Sequence, residues 1–260
     1  MPEVLVTGAT AGVGRHLAVR LGQAGATVLV HGRDPAKVAD TARAVRSTGG
    51  TAREYVADLS VLAEVRALAA RIDSLDVLVN NAGVGGLHRR QLSADGYEMH
   101  WAVNYLAPVA LTRGLLDVLR RNGSARIVNV GSAGQAPPDP DDPRLDAGYD
   151  PQLAYARSKL ALAAWTFDLA ESLAGTGVTA TVLHPATYMD TAMVRAAGIT
   201  PLSTVDEGTA AVLRLATDPA LAGVTGRYYD GTREARAHPL AYDPGFRARL
   251  AAATDRQLSC

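Results

Sequence analysis

The feature that most constrains this chain is an alternation that runs from residue 3 to about residue 230. Short β-branched runs lie at 4–7, 27–30, 51–57, 75–79, 126–130, 178–183 and 224–229. Longer Ala/Leu/Arg-rich stretches fill the gaps at 13–24, 35–47, 61–72, 95–121, 152–174 and 205–217. The short runs are continuously apolar, as strands covered on both faces are. In the first helical stretch Leu17, Leu21 and Ala24 share a face, and Gly25 follows as a stop. Such a pattern predicts an α/β fold with about seven parallel strands, right-handed crossovers and helices on both faces of a doubly wound sheet.

Two segments stand outside the alternation. Residues 135–151 (QAPPDPDDPRLDAGYDP) hold five prolines and five aspartates, so the insertion at 134–151 reads as a loop. In the C-terminal extension 231–260, Pro239 and Pro244 bracket a linker, and Phe246, Leu250 and Leu258 predict a last helix. No break in composition marks a domain boundary, so 1–260 is expected to form one domain.

Composition excludes several function classes. Twenty-six basic residues balance twenty-six acidic ones, which argues against a nucleic-acid surface or a polybasic membrane patch. No apolar run approaches the ~18–20 residues that span a bilayer. Because the first strand begins almost at Met1, no leader peptide is expected before it. The single cysteine, Cys260, leaves no internal disulfide and no cysteine metal cluster, and His31, His88, His100 and His238 lack metal-ligand spacing. No metal and a cytoplasmic location are the expectations. Only Lys37 and Lys159 are lysines among many arginines, which asks why those two remain.

The first strand runs into Thr7-Gly8-Ala9-Thr10-Ala11-Gly12-Val13-Gly14, where a helix begins. Glycines in a strand–turn–helix allow a tight turn and a close approach of backbone to a pyrophosphate, whose charge meets the helix N-terminus. Further on, Tyr155 and Lys159 are four positions apart and share a helix face. A phenol ionises near pH ~10, and a neighbouring ammonium is expected to lower that value, suiting Tyr155 to proton exchange with an alcohol or carbonyl. Ser132, at the end of the fifth strand, would polarise the substrate oxygen.

From residue 3 to about 230 the sequence resembles the short-chain dehydrogenase/reductase family, with the motifs in that family's order. They are the glycine turn Thr7 to Gly14, Asp58-Leu59 after the third strand, Asn80-Asn81-Ala82-Gly83 after the fourth, and Asn104 within a helix. Ser132, Tyr155-x-x-x-Lys159 and Pro185-Ala186 follow. The resemblance implies a Rossmann-type sheet of strand order 3-2-1-4-5-6-7 and a catalytic set of Asn104, Ser132, Tyr155 and Lys159. It implies a nicotinamide cofactor held by Thr7, Gly8, Ala11, Gly12, Val13, Gly14, Asp58, Leu59, Asn81, Ala82, Gly83, Tyr155, Lys159, Pro185 and Thr187. Thr191 competes with Thr187 for the carboxamide. Lys159 would also hold the nicotinamide ribose, and Asn104 would anchor a water linking Lys159 to solvent. Asn80 and Asn81 are expected to tie strands together, and His184 to be structural. The helices 95–121 and 152–174 form the family's usual dimer face, with monomer, dimer and tetramer all open.

The second strand ends in His31-Gly32-Arg33-Asp34. An NAD-selective enzyme would place an acid at Gly32 to bind the ribose 2′-hydroxyl. Gly32 leaves that place empty and Arg33 offers a fork for a phosphate, so NADP(H) is favoured over NAD(H), with Asp34 capping the helix that starts at Pro35. The 23 positions from Ser132 to Tyr155 and the residues around Tyr155 resemble the retinol-dehydrogenase-like and carbonyl-reductase-like branch. That implies NADPH-dependent reduction of a ketone or aldehyde, or its reverse. The proline-rich loop is expected to wall part of the substrate pocket. A non-catalytic NADP(H) sensor is the rival, and intact Asn104, Ser132, Tyr155 and Lys159 argue against it.

Overall fold

A computed structural model describes residues 1–146 and 148–259; Ala147, in the proline-rich insertion, and Cys260 lie outside the described residues. The chain runs β1 (Glu3–Val6), α1 (Gly12–Gln23), β2 (Thr27–Gly32), α2 (Pro35–Ser47), β3 (Thr51–Val56), α3 (Leu62–Ala70) and β4 (Val77–Asn80). After a long connection come α4 (Met99–Trp101), a π-helical segment (Ala102–Leu106), α5 (Ala107–Arg121) and β5 (Arg126–Val130). Then follow α6 (Pro151–Ser172), β6 (Thr179–His184), α7 (Ala192–Ala196), α8 (Val205–Thr217), β7 (Arg227–Asp230), β8 (Arg233–Ala235) and α9 (Pro244–Leu258).

The sheet order is β3-β2-β1-β4-β5-β6-β7-β8. All pairs from β3 to β7 are parallel, as the alternation predicts, and the step from β1 to β4 reverses the direction of winding. The eighth strand is an addition to the expected seven: β8 pairs antiparallel with β7 in the register Asp230↔Arg233. Asp230-Gly231 is a tight-hairpin signal, and Gly231 takes φ 57, a left-handed conformation that glycine adopts without strain.

Successive side chains of a strand point to opposite faces, and the core divides accordingly. Val4 and Val6 pack with Leu17, Leu21 and Val212 on one side. Leu5 and Leu29 pack with Leu68, Leu115 and Leu160 on the other. The second side carries α6, buried around most of its circumference, and α9 packs on it through Phe246 and Leu250.

The expected continuous helix over 95–121 is broken. Pro108 has no N–H to give to the carbonyl of Asn104, four residues back, so the α-helical ladder cannot close there. The chain makes a π turn instead, with Ala107 N–H on the carbonyl of Ala102. Segment 95–98 is not helical, and Glu98 caps α4 by accepting the N–H of Trp101 at 3.0 Å. Among the described residues no helix is long and apolar enough to cross a membrane.

Candidate active site

In an open parallel sheet, the crevice outside the strand C-termini, where the winding reverses, is the natural ligand site. Here it lies between β1 and β4, and buried polar bonds hold its floor. The Thr7 hydroxyl donates to the carbonyl of Val79 at 3.3 Å and accepts the N–H groups of Asn81 and Ala82, both at 3.0 Å. The Asn81 amide returns to the carbonyls of Thr7 and Gly8 at 2.8 and 3.3 Å. Asn80 ties β4 to its neighbours, donating to Thr112 at 3.1 Å and Asn129 at 2.8 Å. His31 at the end of β2 accepts the Gly8 N–H at Nδ1 (3.3 Å) and meets the carbonyl of Ala57 at Nε2 (3.2 Å). Burial lowers its pKa to about 4 and keeps it neutral.

The turn fits a dinucleotide pyrophosphate. A Cβ on Gly14 would stand 2.3 Å from the carbonyl oxygen of Gly8, and one on Gly8 would stand 2.8 Å from Cα of Ala82. Only glycine closes this turn. Helices α2, α6, α8 and α9 each have an Asp or Thr side chain on their first N–H groups, whereas Ala11, the residue before α1, offers no side-chain cap. Its N–H groups, including those of Gly12 and Val13, are thus left for an anion.

Around this floor the structure gathers Gly83, Asn104, Ser132, Tyr155 and Lys159. Lys159 is buried, donates from Nζ to the carbonyl of Val130 at 2.8 Å, and lies 5.7 Å from the centre of the Tyr155 ring. Burial brings its pKa down to about 8. Burial also pushes the Tyr155 phenol above its ordinary value, while a hydrogen bond with Ser132 works in the opposite direction. The expected lowering by Lys159 is therefore overturned. The ammonium is turned to a backbone carbonyl, and the loss of water around the phenol dominates. The Ser132 hydroxyl accepts the Gly134 N–H at 3.0 Å, and the Ser132 carbonyl takes bonds from Gln135 (2.8 Å) and Tyr228 (3.1 Å). The Asn104 side chain bonds both backbone groups of Val84 and the Ser158 hydroxyl, at 2.8–3.1 Å.

Other sequence-derived residues sit at strand ends further out. Asp58 turns its carboxylate to the N–H of Ser60 at 2.9 Å, and Leu59 is buried beside it. Pro185 is buried after β6; the hydroxyl of Thr187 meets His184 Nε2 at 3.0 Å, and Thr191 caps α7. Arg33 is exposed, without an ion-pair or hydrogen-bond partner among the described residues, and Asp34 caps α2 on Ala36 and Lys37. Gly32 corrects a second expectation. Its place is filled rather than vacant, because a Cβ there would stand 2.5 Å from Cγ2 of Thr10 and 3.0 Å from Cγ2 of Val38.

Sequence reasoning missed Met193, on the unforeseen helix α7. A Cβ on Gly85 would stand 2.8 Å from its sulfur and 3.6 Å from Cδ2 of Tyr155, so Met193 and the Tyr155 ring both border Gly85.

Residues 2–200 match the family described as short chain dehydrogenase. A "Probable oxidoreductase" of Streptomyces antibioticus is 37% identical over 90% of this chain and 86% of its own length. Human retinol dehydrogenase 13 is 33% identical over 97% of this chain and 83% of its own. Among solved structures, a landomycin C-6 ketoreductase with bound NADP and rabelomycin superposes with a TM-score of 0.72 at 26% identity, covering 89% of this chain and 94% of that one.

Proposed function

This chain belongs to the short-chain dehydrogenase family, in its retinol-dehydrogenase-like branch, and is an NAD(P)-dependent oxidoreductase; we propose that it uses NADPH to reduce a ketone or aldehyde to an alcohol. The observation that carries this reading is the buried Tyr155 phenol, hydrogen-bonded to Ser132 and with its pKa raised. At neutral pH such a phenol is protonated, the form a carbonyl oxygen needs as it gains negative charge. The Ser132 hydroxyl stands beside it and can donate to the same oxygen. When bound, NADPH supplies the hydride to the carbonyl carbon. The Tyr155 proton goes to the oxygen, and the phenolate left behind keeps the hydrogen bond with Ser132, the neighbour that favours its ionised form.

The glycine turn and the uncapped start of α1 would hold the pyrophosphate, and the free guanidinium of Arg33 would meet a 2′-phosphate. Filling of the Gly32 site by Thr10 and Val38 supports the same preference, since an acid for a 2′-hydroxyl has no room there. The NADP in the related ketoreductase agrees with this. A cytoplasmic location and a small-molecule carbonyl or alcohol as substrate complete the reading, with monomer, dimer and tetramer all open.

Consumption of NADPH over a panel of ketones and aldehydes tests it. At least one bulky carbonyl should be turned over, and Tyr155→Phe should lower kcat by about 10²–10⁴-fold while NADPH fluorescence still reports binding. An inert panel, or a Tyr155→Phe enzyme at the wild-type rate, overturns the proposal.

A further inference from the structure

Strand β5 loses its sheet partner just before Ser132. The last ladder pair is Val130↔Leu183, and the Gly131 N–H makes the last bond, 2.7 Å to the carbonyl of Leu183. The bonds on the Ser132 carbonyl come from side chains instead: the Gln135 amide donates to it at 2.8 Å and the Tyr228 hydroxyl at 3.1 Å. At its other end the Gln135 amide accepts the His238 N–H at 2.9 Å. A backbone N–H can only donate, so the Gln135 oxygen faces His238 and its NH₂ faces Ser132. Burial pushes the Tyr228 phenol up to about 12, so it too stays a donor.

His238 is itself fixed to the helix that carries Tyr155. The N–H of Ala237, one residue back, donates to the Tyr242 hydroxyl at 3.0 Å. The Tyr242 ring stacks on Phe167 of α6, at 4.7 Å between centres and 17° between planes. Direct contacts thus run from α6 through Tyr242, the 237–238 backbone and Gln135 to the backbone of Ser132. They close a ring, because the Ser132 hydroxyl is hydrogen-bonded to Tyr155 on the same helix. That hydroxyl also accepts the Gly134 N–H at 3.0 Å, so the turn 132–135 sets where its oxygen sits. The C-terminal extension thereby reaches the reacting centre.

We propose that Gln135 is a positioning residue for Ser132, and that through it the C-terminal extension sets the place of the Ser132 hydroxyl relative to Tyr155. The physical reason is the loss of backbone support at a strand end. Ladder bonds hold a strand residue in place; beyond Gly131 the ladder stops, and two side-chain donors take over its task. Gln135 does more of it than Tyr228, because its amide makes two bonds and joins segments 103 residues apart in the sequence. Ser132 and Tyr155 must reach one carbonyl oxygen together, and a displacement of about 1 Å in such a pair costs rate steeply. The inference rests on the reading of Ser132 as a donor to the substrate oxygen.

The test is a double-mutant cycle with Ser132→Ala, which removes the hydroxyl and keeps the carbonyl. Gln135→Met keeps the length of the side chain and makes neither bond. In the wild-type background it should lower kcat about tenfold, with NADPH affinity within about twofold. In the Ser132→Ala background it should change kcat by less than about twofold, since the group it positions is gone. A wild-type kcat in Gln135→Met overturns the proposal, and so does an equal fall in both backgrounds, the mark of a general loosening. Should Gln135→Met fail to bind NADPH, and so to fold, Gln135→Glu replaces it. That variant keeps the acceptor for His238 and loses the donor to Ser132, and the same two outcomes decide. Amide exchange followed by NMR on the whole apoprotein needs no turnover. Protection of the Gly134 N–H, which the serine hydroxyl accepts, should fall about tenfold in the Gln135 variant; unchanged protection overturns the proposal. A wild type inert towards every carbonyl would refute the proposed activity, while the exchange measurement would still judge Gln135.

Discussion

The two sides of the cleft are built differently. On the cofactor side, the turn after β1 is held by the Thr7 hydroxyl, the Asn81 amide and His31, all bonded to backbone groups of other elements. On the outer side, α7 buries none of its five residues, and the segment around it is held mostly by near neighbours such as the Asp190–Arg195 ion pair. Tyr188 adopts φ 46 there, a left-handed conformation that a tyrosine takes only under constraint, and Leu202 is 71% exposed. A phosphate cradle works only if backbone N–H groups stay put, so it is set by bonds between elements. A lip at the mouth of the cleft can be built from local contacts.

The largest expected effect falls on the cofactor side. Arg33→Ala should weaken NADPH binding by about 10- to 150-fold, the equivalent of a charged hydrogen bond worth roughly 1.5–3 kcal/mol. NADH, lacking the phosphate, should bind almost unchanged. Both cofactors must be titrated at one ionic strength. Equal weakening of both would return Arg33 to an ordinary surface residue and remove the cofactor side's claim to selectivity.

A smaller effect is expected in stability, from the lysine that joins the two sides. Lys159 has a folded pKa of about 8 against an ordinary 10.5. Between these values the unfolded chain binds more protons than the folded one, so stability rises with pH across that window by up to about 3 kcal/mol. Below pH 8 the buried charge is a standing cost. Lys159→Met removes it and gives up the bond to Val130, so the variant should lose turnover and yet gain about 1 kcal/mol, or roughly 2–4 °C in Tm, at pH 7. That gain should shrink as the pH is raised to 10. Calorimetry showing a gain that grows with pH would contradict the assignment.

The smallest effect belongs to the lip. Leu202→Ser should raise KM for a bulky apolar carbonyl by about 3- to 5-fold, from part of one leucine's burial against substrate. NADPH affinity and Tm should stay level. If Leu202→Ser instead weakened NADPH, the separation of the two sides would be lost.

The helix start at Pro35 was legible in advance, because Asp-Pro is a capping signal whose chemistry is local, and Asp34 does accept the first N–H groups. Asp150-Pro151 carries the same signal and Asp150 accepts the Leu153 N–H, but the proline-rich run around it reads as loop, and the helix was expected only from residue 152. The hairpin at Asp230-Gly231 carried a signal of the same kind, but three residues of strand give no periodicity to read, and β8 went unseen. The break at Asn104 was also written in the sequence as Pro108, hidden within an otherwise uniform helical stretch. The Gly32 site was misread for another reason. What fills the space beside a glycine depends on Thr10 and Val38, which come from other turns of the fold.

The sequence by itself determined the parallel sheet, the glycine turn and the identities of Ser132, Tyr155 and Lys159 as a set. Periodicity, turn chemistry and helical spacing act over a few residues and are read directly from their order. Only the tertiary structure decided the proton affinity of Tyr155 and Lys159, the filling of the Gly32 site, and the edge-on packing of His100 against the Tyr155 ring. Those properties arise from lost water and from neighbours tens of residues away, and neither is visible until the chain has closed on itself.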